Sequence, residues 1–284
     1  MPLISIRDLV VEYDGRRILD GLNLNIEQGE TMVLLGGSGS GKSTLLRHII
    51  GLERPQSGLL TVKGIDITRC SAAELKQIRR SIGVAFQSAA LFNSLSVADN
   101  VALPLREHTA LAPSIIDLMV WMKLALVGLG DFGKLFPQEL SGGMKKRAAV
   151  ARALALGPEI LVFDEPSAGL DPIVAAELDQ LILLLKRAFQ ITVIVVTHEL
   201  ASAFRIADRI AMLYKGSFLV VGTKDEVSSS QDPRIRQFLD RVPGTAAHVQ
   251  SMEKHLENYV RGREAILCKP KPKWGPSCWR LSPS

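Results

Sequence analysis

Gly36–Gly37–Ser38–Gly39–Ser40–Gly41–Lys42–Ser43 is the stretch on which the fold turns. It is entered through Met32–Val33–Leu34–Leu35 and left through Thr44–Leu45–Leu46–Arg47–His48–Ile49–Ile50. The octapeptide fits G-x-x-x-x-G-K-[ST], the phosphate-binding loop pattern. The four apolar residues before it read as a short buried strand and the run after it as a helix, which is the context the motif requires. Glycines let backbone N–H groups curl around phosphate oxygens. Lys42 is expected to reach the β- and γ-phosphates and Ser43 to ligate Mg²⁺, with Thr44 beside them in the first helical turn. A glycine-rich turn with an incidental lysine is the competing reading, and the flanking strand and helix argue against it.

Downstream lies a second element suited to phosphate, Leu140–Ser141–Gly142–Gly143–Met144. Ser141 offers a hydroxyl, and Gly142 and Gly143 allow close approach of backbone N–H groups. The run Lys145 to Leu154 reads as a helix, so these residues sit at a helix N-terminus, where the dipole favours an anion. Such an element makes sense if it closes the nucleotide site of a second subunit. The apolar strand Ile160–Leu161–Val162–Phe163 ends in Asp164–Glu165–Pro166. Asp164 fits the metal-holding aspartate of phosphate-loop proteins. Glu165 is placed to polarise a water for attack on the γ-phosphate. Gln87 follows the strand Ile82 to Phe86, and its amide could touch Mg²⁺ and the attacking water. His198 ends the strand Ile191 to Thr197 and is read as a γ-phosphate contact rather than an ordinary surface histidine. Ser167–Ala168–Gly169–Leu170–Asp171 would put Asp171 at a boundary between subunits.

The order Tyr13, GGSGSGKS, Gln87, LSGGM, Asp164–Glu165, SAGLD and His198 resembles the nucleotide-binding subunit of ABC transporters over residues 1–241. The resemblance implies that two subunits sandwich two ATP molecules, each between one phosphate loop and the opposing LSGG. It assigns Tyr13 to stacking on adenine; the residue by itself is an aromatic after a β-branched strand and fits a packing role as well. Met144 stands where most members carry glutamine, which removes one polar contact near the nucleotide. Met144, Pro104 to Thr109 and Asp232 to Asp240 are similar to the ATPases of Mla-type phospholipid transporters, which work with mammalian-cell-entry (MCE) domain proteins. That resemblance implies permease subunits, an MCE-domain lipid carrier, a small STAS-type subunit and a place on the cytoplasmic face of a bacterial inner membrane. It also puts the permease's coupling segment against Leu91 to Leu95 and Pro104 to Thr109. Another small substrate is the nearer alternative, and a soluble ABC ATPase acting on ribosomes or DNA the farther one. Ribosome-acting members carry two such domains and the DNA-repair type long coiled-coil insertions; neither pattern is present here.

The expected fold is an α/β phosphate-loop ATPase of ABC type: a mixed sheet core, an antiparallel β subdomain and a helical subdomain inserted at about 88–157. Residues 2–35 and 58–69 read as strands punctuated by Asp14–Gly15, Gln28–Gly29 and Lys63–Gly64. In the helical stretch Leu118, Trp121, Met122 and Ala125 share one face. With 284 residues, 47% of them hydrophobic, the chain can bury a large core. No apolar run approaches the roughly 18 residues needed to span a bilayer. Met1 to Arg7 is expected to run straight into a strand rather than form a signal peptide. Cys70, Cys268 and Cys278 suggest no disulfide framework. Residues 253–280 hold seven Lys or Arg against three Glu, a net of +4 out of +5 for the chain. This tail, 242–284, reads as a helix over Ala246 to Leu267 and then an extended Lys269 to Trp274 segment. A solvated tail, attraction to an anionic membrane and strapping onto a neighbouring ATPase subunit all remain open for it. No nucleic-acid role is expected, because the excess basic charge is confined to the tail.

Overall fold

The computed structural model describes residues 2–241 together with His255 and Tyr259. The chain separates into a unit spanning Met1–Leu239 and a second spanning Asp240–Ser284. The expected tail helix and extended segment, and Cys268 and Cys278, lie outside the described residues.

Strands β1 (Ile4–Tyr13) and β2 (Arg16–Ile26) form a hairpin, and β3 (Thr31–Leu35) leads into the phosphate loop and α1 (Lys42–Ile49). Then come β4 (Ser57–Val62), β5 (Ile65–Asp66), α2 (Ala72–Arg80) and β6 (Ile82–Ala85). Three helices follow: α3 (Val97–His108), α4 (Pro113–Leu126) and α5 (Gly142–Ala153). The remainder alternates: β7 (Ile160–Asp164), α6 (Pro172–Phe189), β8 (Thr192–Thr197), α7 (Leu200–Ile206), β9 (Arg209–Tyr214) and β10 (Ser217–Thr223). Two short helices, α8 (Lys224–Ser228) and α9 (Pro233–Leu239), close the unit.

Two sheets result. One is antiparallel, ordered β2-β1-β4-β5, and the other is ordered β10-β9-β3-β8-β7-β6. In the second, β9, β3, β8, β7 and β6 run parallel and only β10 is antiparallel. The expected mixed core, antiparallel subdomain and helical insertion are therefore present, with helices of the insertion beginning at Val97. Its hairpins turn on two successive left-handed residues: Asp14–Gly15 (φ 49° and 75°), Lys63–Gly64 (54° and 78°) and Lys215–Gly216 (47° and 83°). Such turns match the twist of the strands they join.

Sheet register explains why the site is rigid. Met32 and Leu34, Ile160 and Val162, and Ile194 and Val196 pack into one core. Val33 and Leu35, Leu161 and Phe163, and Val193 and Val195 pack into the other. Alternate side chains of the central strands thus fill cores on both faces, as a parallel sheet covered on both sides demands. Each such buried aliphatic is worth about 1.5–3 kcal/mol. The strands' carboxyl ends, from which the phosphate loop, Asp164 and His198 emerge, are held by this doubly buried slab. Between sheet and insertion the contact is close: a Cβ at Gly83 of β6 would lie 2.2 Å from the Ala153 carbonyl oxygen, so only glycine fits.

The face of α4 that Leu118, Trp121, Met122 and Ala125 share is the one turned to solvent. The helix buries Ile116, Val120 and Leu124 instead, and Leu118, Trp121 and Met122 are about half exposed. Both faces carry apolar residues, so sequence periodicity by itself does not choose between them; packing of Ile116, Val120 and Leu124 with α3 and α5 residues does. Among the described residues no helix is long and apolar enough to cross a membrane.

Candidate functional site

The phosphate loop bends at Gly36 (φ 158°), Gly39 (72°) and Gly41 (107°). Gly41 precedes α1, and a Cβ there would lie 2.6 Å from Leu19 Cδ2 and 3.3 Å from the Ile18 carbonyl oxygen. Residues 39–44 and Ile18 line a cavity of about 160 Å³. Ser38 and Gly39 are exposed, Ser40 is buried, and Ser43 is exposed at the start of the helix. Lys42 is nearly buried, and its amine lies across its own loop, donating to the carbonyls of Gly36 (2.8 Å) and Gly37 (2.9 Å). Burial lowers the Lys42 pKa, and the charges of Glu165 and Asp164 work against that shift. Those two carboxylates are therefore electrostatic neighbours of the loop lysine.

Asp164 ends β7, and its Oδ1 is buried without a hydrogen-bond partner. Burial, with the charge of Glu165 second, raises its pKa; Lys42, Arg47 and Lys146 oppose the rise. An orphaned carboxylate oxygen in this setting is a ready position for a cation. Asp164 shares an open cavity of about 750 Å³ with Phe86, Gln87, Ser88, Ala90, Ala168 and Gly169, so the structure brings Gln87 and Asp164 together. Glu165 takes a left-handed backbone (φ 47°), donates its N–H to the Val196 carbonyl (2.8 Å) and turns its carboxylate to His198, whose Nδ1 is 2.9 Å away. The carboxylate is largely buried and the imidazole 62% exposed, so His198 covers Glu165 from the solvent side. An L-residue held at positive φ beside such a pair is a local strain of the kind that gathers at functional sites.

The LSGG element sits apart. Ser141 is the N-cap of α5, its hydroxyl accepting from the Met144 N–H at 3.3 Å, and Gly142 and Gly143 form the first turn. A Cβ on Gly143 would meet Val174 Cγ1 at 2.7 Å. These residues line a cavity of about 430 Å³ with Gly169, Leu170 and Asp171, and none of them lines the phosphate-loop cavity. Asp171 caps α6, its Oδ1 accepting from the Ile173 (3.0 Å) and Val174 (3.1 Å) N–H groups. Tyr13 ends β1, partly exposed, with its hydroxyl donating to Glu53.

Two side chains that sequence reading did not single out complete the picture. Lys146 of α5 is 9% exposed and donates to the carbonyls of Gln87 (2.6 Å) and Glu165 (3.0 Å). Burial lowers its pKa while Asp164 and Glu165 oppose that. Arg152, six residues on, donates to the carbonyls of Ala90 (2.7 Å) and Ala89 (2.9 Å). Lys145 and Arg147 flank Lys146 on the same helix, so the sequence carries no signal that picks out Lys146 and Arg152. Beyond Gln87, buried Asn100 clamps the next loop: its Nδ2 donates to the carbonyls of Phe92, Leu95 and Ser96, and its Oδ1 accepts from the Phe92 N–H. Exposed Phe86 and Phe92 with Leu103, Pro104, Arg80 and Arg152 border a groove of about 440 Å³.

A glycine-bent phosphate loop, an orphaned acid at the end of β7 and a doubly covered parallel sheet define a phosphate-loop nucleotide-binding protein of the α/β class. The chain belongs to the ABC transporter family, whose sequence profile matches residues 19–168. Mkl of Mycobacterium tuberculosis, described as a probable ribonucleotide transport ATP-binding protein, is 45% identical over 237 residues. That alignment covers 84% of this chain and 66% of the mycobacterial protein, just under two thirds of its length. The intermembrane phospholipid transport system ATP-binding protein MlaF of Haemophilus influenzae is 43% identical over 237 residues, 84% of this chain and 90% of that protein. Among solved structures, a dimeric post-hydrolysis state of the ATP-binding cassette MJ0796 with ADP and phosphate superposes with a TM-score of 0.72. The match has 32% identity and covers 78% of this chain and 98% of that one.

Proposed function

We propose that the chain is the ATP-hydrolysing subunit of a membrane complex that moves phospholipid, working as a pair of identical subunits around two ATP molecules. The observation that carries the pairing is the separation of the two phosphate elements: Ser141, Gly142 and Gly143 border a cavity of their own, apart from Lys42 and Ser43. A second copy, turned to face the first, supplies its LSGG helix N-terminus to the open phosphate loop, with Asp171 at the junction. Tyr13 stacks on the adenine. Residues 36–44 hold the phosphates through backbone N–H groups and the Lys42 amine.

Within one site Glu165 accepts the proton of the attacking water, and His198, bound to its carboxylate, orients it and touches the γ-phosphate. Ser43, Gln87 and Asp164 are the oxygen donors that would hold Mg²⁺. The orphaned Asp164 Oδ1 supports that assignment, and a few hard oxygen ligands suit the ion. Held by those oxygens, the ion would supply positive charge against the β- and γ-phosphates. Nucleotide binding draws the pair shut and hydrolysis releases it, a shift between two states that membrane subunits convert into transport. The groove beside Phe86, Phe92 and Pro104 is the docking place for the permease, next to the Gln87 loop that senses the nucleotide.

Phospholipid is preferred as cargo because the relative named for phospholipid transport is matched over 90% of its length. An MCE-domain lipid carrier and a STAS-type subunit are the remaining partners, with the complex at a bacterial inner membrane. Purifying the chain from its source with associated membrane proteins, and identifying bound lipid by mass spectrometry, tests this. Phospholipid enriched over the bulk membrane, and ATPase activity stimulated by it, is the expected result. Stimulation by ribonucleotides instead would reassign the cargo.

A further inference from the structure

Helix α5 carries three things that no other described element combines. Its N-terminus holds Ser141–Gly143, its second turn sends the Lys146 amine to the carbonyls of Gln87 and Glu165, and its last turn sends Arg152 to Ala89 and Ala90. Lys146 lies five residues beyond Ser141, about 7.5 Å along the helix axis. Three of the four backbones it and Arg152 hold are unusual: Ala89 (φ 61°), Ala90 (φ 48°) and Glu165 (φ 47°) are left-handed without being glycine, Gln87 being the exception. Such conformations persist only where neighbours over-determine them. Here the neighbours are cationic donors on one helix, gripping the loop after β6 and the strand end of β7 at once.

We propose that Lys146 is a positioning residue that links the LSGG end of α5 to Gln87 and Glu165 of the same chain, so that the two ATP sites of a paired assembly are coupled through its amine. The inference rests on the two-chain reading above. In that reading the N-terminus of α5 faces the nucleotide held by the partner, while Gln87 and Glu165 face the nucleotide held by this chain. A twelve-residue helix moves as one body, so a displacement on engaging the partner's phosphate is delivered to both carbonyls. One amine bridges two separate segments, 59 and 19 residues away in sequence, and neither segment can shift alone without losing a charge-assisted bond. Near-complete burial leaves water little access to replace either bond. Both hydrogen bonds of the amine go to backbone carbonyls, so its contribution is to place Gln87 and Glu165 rather than to contact the nucleotide.

The test uses the full chain with Lys146→Met, which keeps the length and packing of the stem and removes charge and donors, and Lys146→Arg, which keeps both. Turnover and its Hill coefficient against ATP are measured, together with binding of a fluorescent ATP analogue to the dilute single chain. Lys146→Met is expected to lose about tenfold or more in turnover, the scale of a small misplacement of catalytic groups, and its Hill coefficient should fall toward 1. Single-chain affinity for the analogue should stay within about twofold, and Lys146→Arg should recover part of both losses. A merely structural lysine would instead lower nucleotide binding and turnover together with the melting temperature, and that result overturns the proposal. Should Lys146→Met fail to fold, Lys146→Gln, with a shorter donor, must show the same paired loss in smaller measure; wild-type values of both overturn the linkage. Wild-type hydrolysis independent of chain concentration overturns the two-chain reading itself. Cooperative wild type with an equally cooperative Lys146→Met overturns the linkage alone.

Discussion

Glu165→Gln separates binding from chemistry, and the structure sets the size of each effect. The amide is isosteric with the carboxylate, so the side chain keeps its place beneath His198, 2.9 Å from Nδ1. What it loses is the ability to take a proton. Removing a general base costs a factor of about 10²–10⁴ in turnover, or about 2.7–5.5 kcal/mol on the barrier. Stability should move much less. The contact with His198 involves an imidazole 62% exposed, and polar pairs open to water are worth about 0–1 kcal/mol. Against that small loss stands a gain, since the Glu165 charge is one of the causes that raise the neighbouring Asp164. The phosphate loop and Lys42 are untouched, so ATP should bind as before or more tightly, with less negative charge facing the γ-phosphate. Phosphate release at saturating ATP, analogue binding and size-exclusion chromatography with ATP measure the three quantities. The expected outcome is turnover down at least about 100-fold, affinity retained and an ATP-dependent dimer that accumulates. Turnover within about threefold of wild type, in a chain that binds ATP normally, would remove Glu165 from the base role.

A mixed pair of Lys42→Ala and Gly142→Asp chains should regain activity that neither homodimer has, because both lesions fall in one composite site and the other stays whole. Failure to regain any, with mixed pairs demonstrated by tagged pull-down, argues against sites shared between chains. For Asp164→Asn the sign follows from burial. The raised carboxyl contributes stability that is fully present below its ordinary 3.8 and lost as pH rises through its elevated folded-state value. The variant escapes that loss, so it should melt above wild type near neutral pH, with the difference vanishing toward about pH 4. Its Mg²⁺-dependent hydrolysis should be abolished, and an unchanged melting curve across that range would show that burial is not what tunes Asp164. Asp171→Ala removes two N-cap bonds from α6 and should cost about 1 kcal/mol in chemical denaturation, whatever it does at a subunit boundary. A stability equal to wild type would mean solvent replaces the cap.

Much of the nucleotide region is legible because its signals are local. A phosphate loop needs only a buried strand, glycines at positive φ and a following helix, and all of that is contiguous in residues 32–50. The Asp14–Gly15 and Lys63–Gly64 turns declare themselves the same way, since two adjacent residues carry the whole backbone requirement. Asp171, read from the sequence only as a residue at a subunit boundary, proves also to cap α6 ahead of Pro172. The side of α4 that faces the core is a different matter. Leu118, Trp121 and Met122 are as apolar as Ile116, Val120 and Leu124, and one helix cannot report which face its neighbours will cover.

The sequence by itself determined the phosphate loop, the acids at the end of β7, the LSGG helix start and the order that places the chain in its family. In each of these the chemistry resides in residues a few positions apart, joined by backbone geometry that local composition dictates. Only the tertiary structure decided that Asp164 keeps a buried oxygen with no partner, that His198 closes over Glu165, and that Lys146 grips Gln87 and Glu165 across 59 and 19 residues. Those facts depend on which strand ends meet when both faces of the sheet are buried. Close packing between segments far apart in the chain decides that, and no local pattern encodes it.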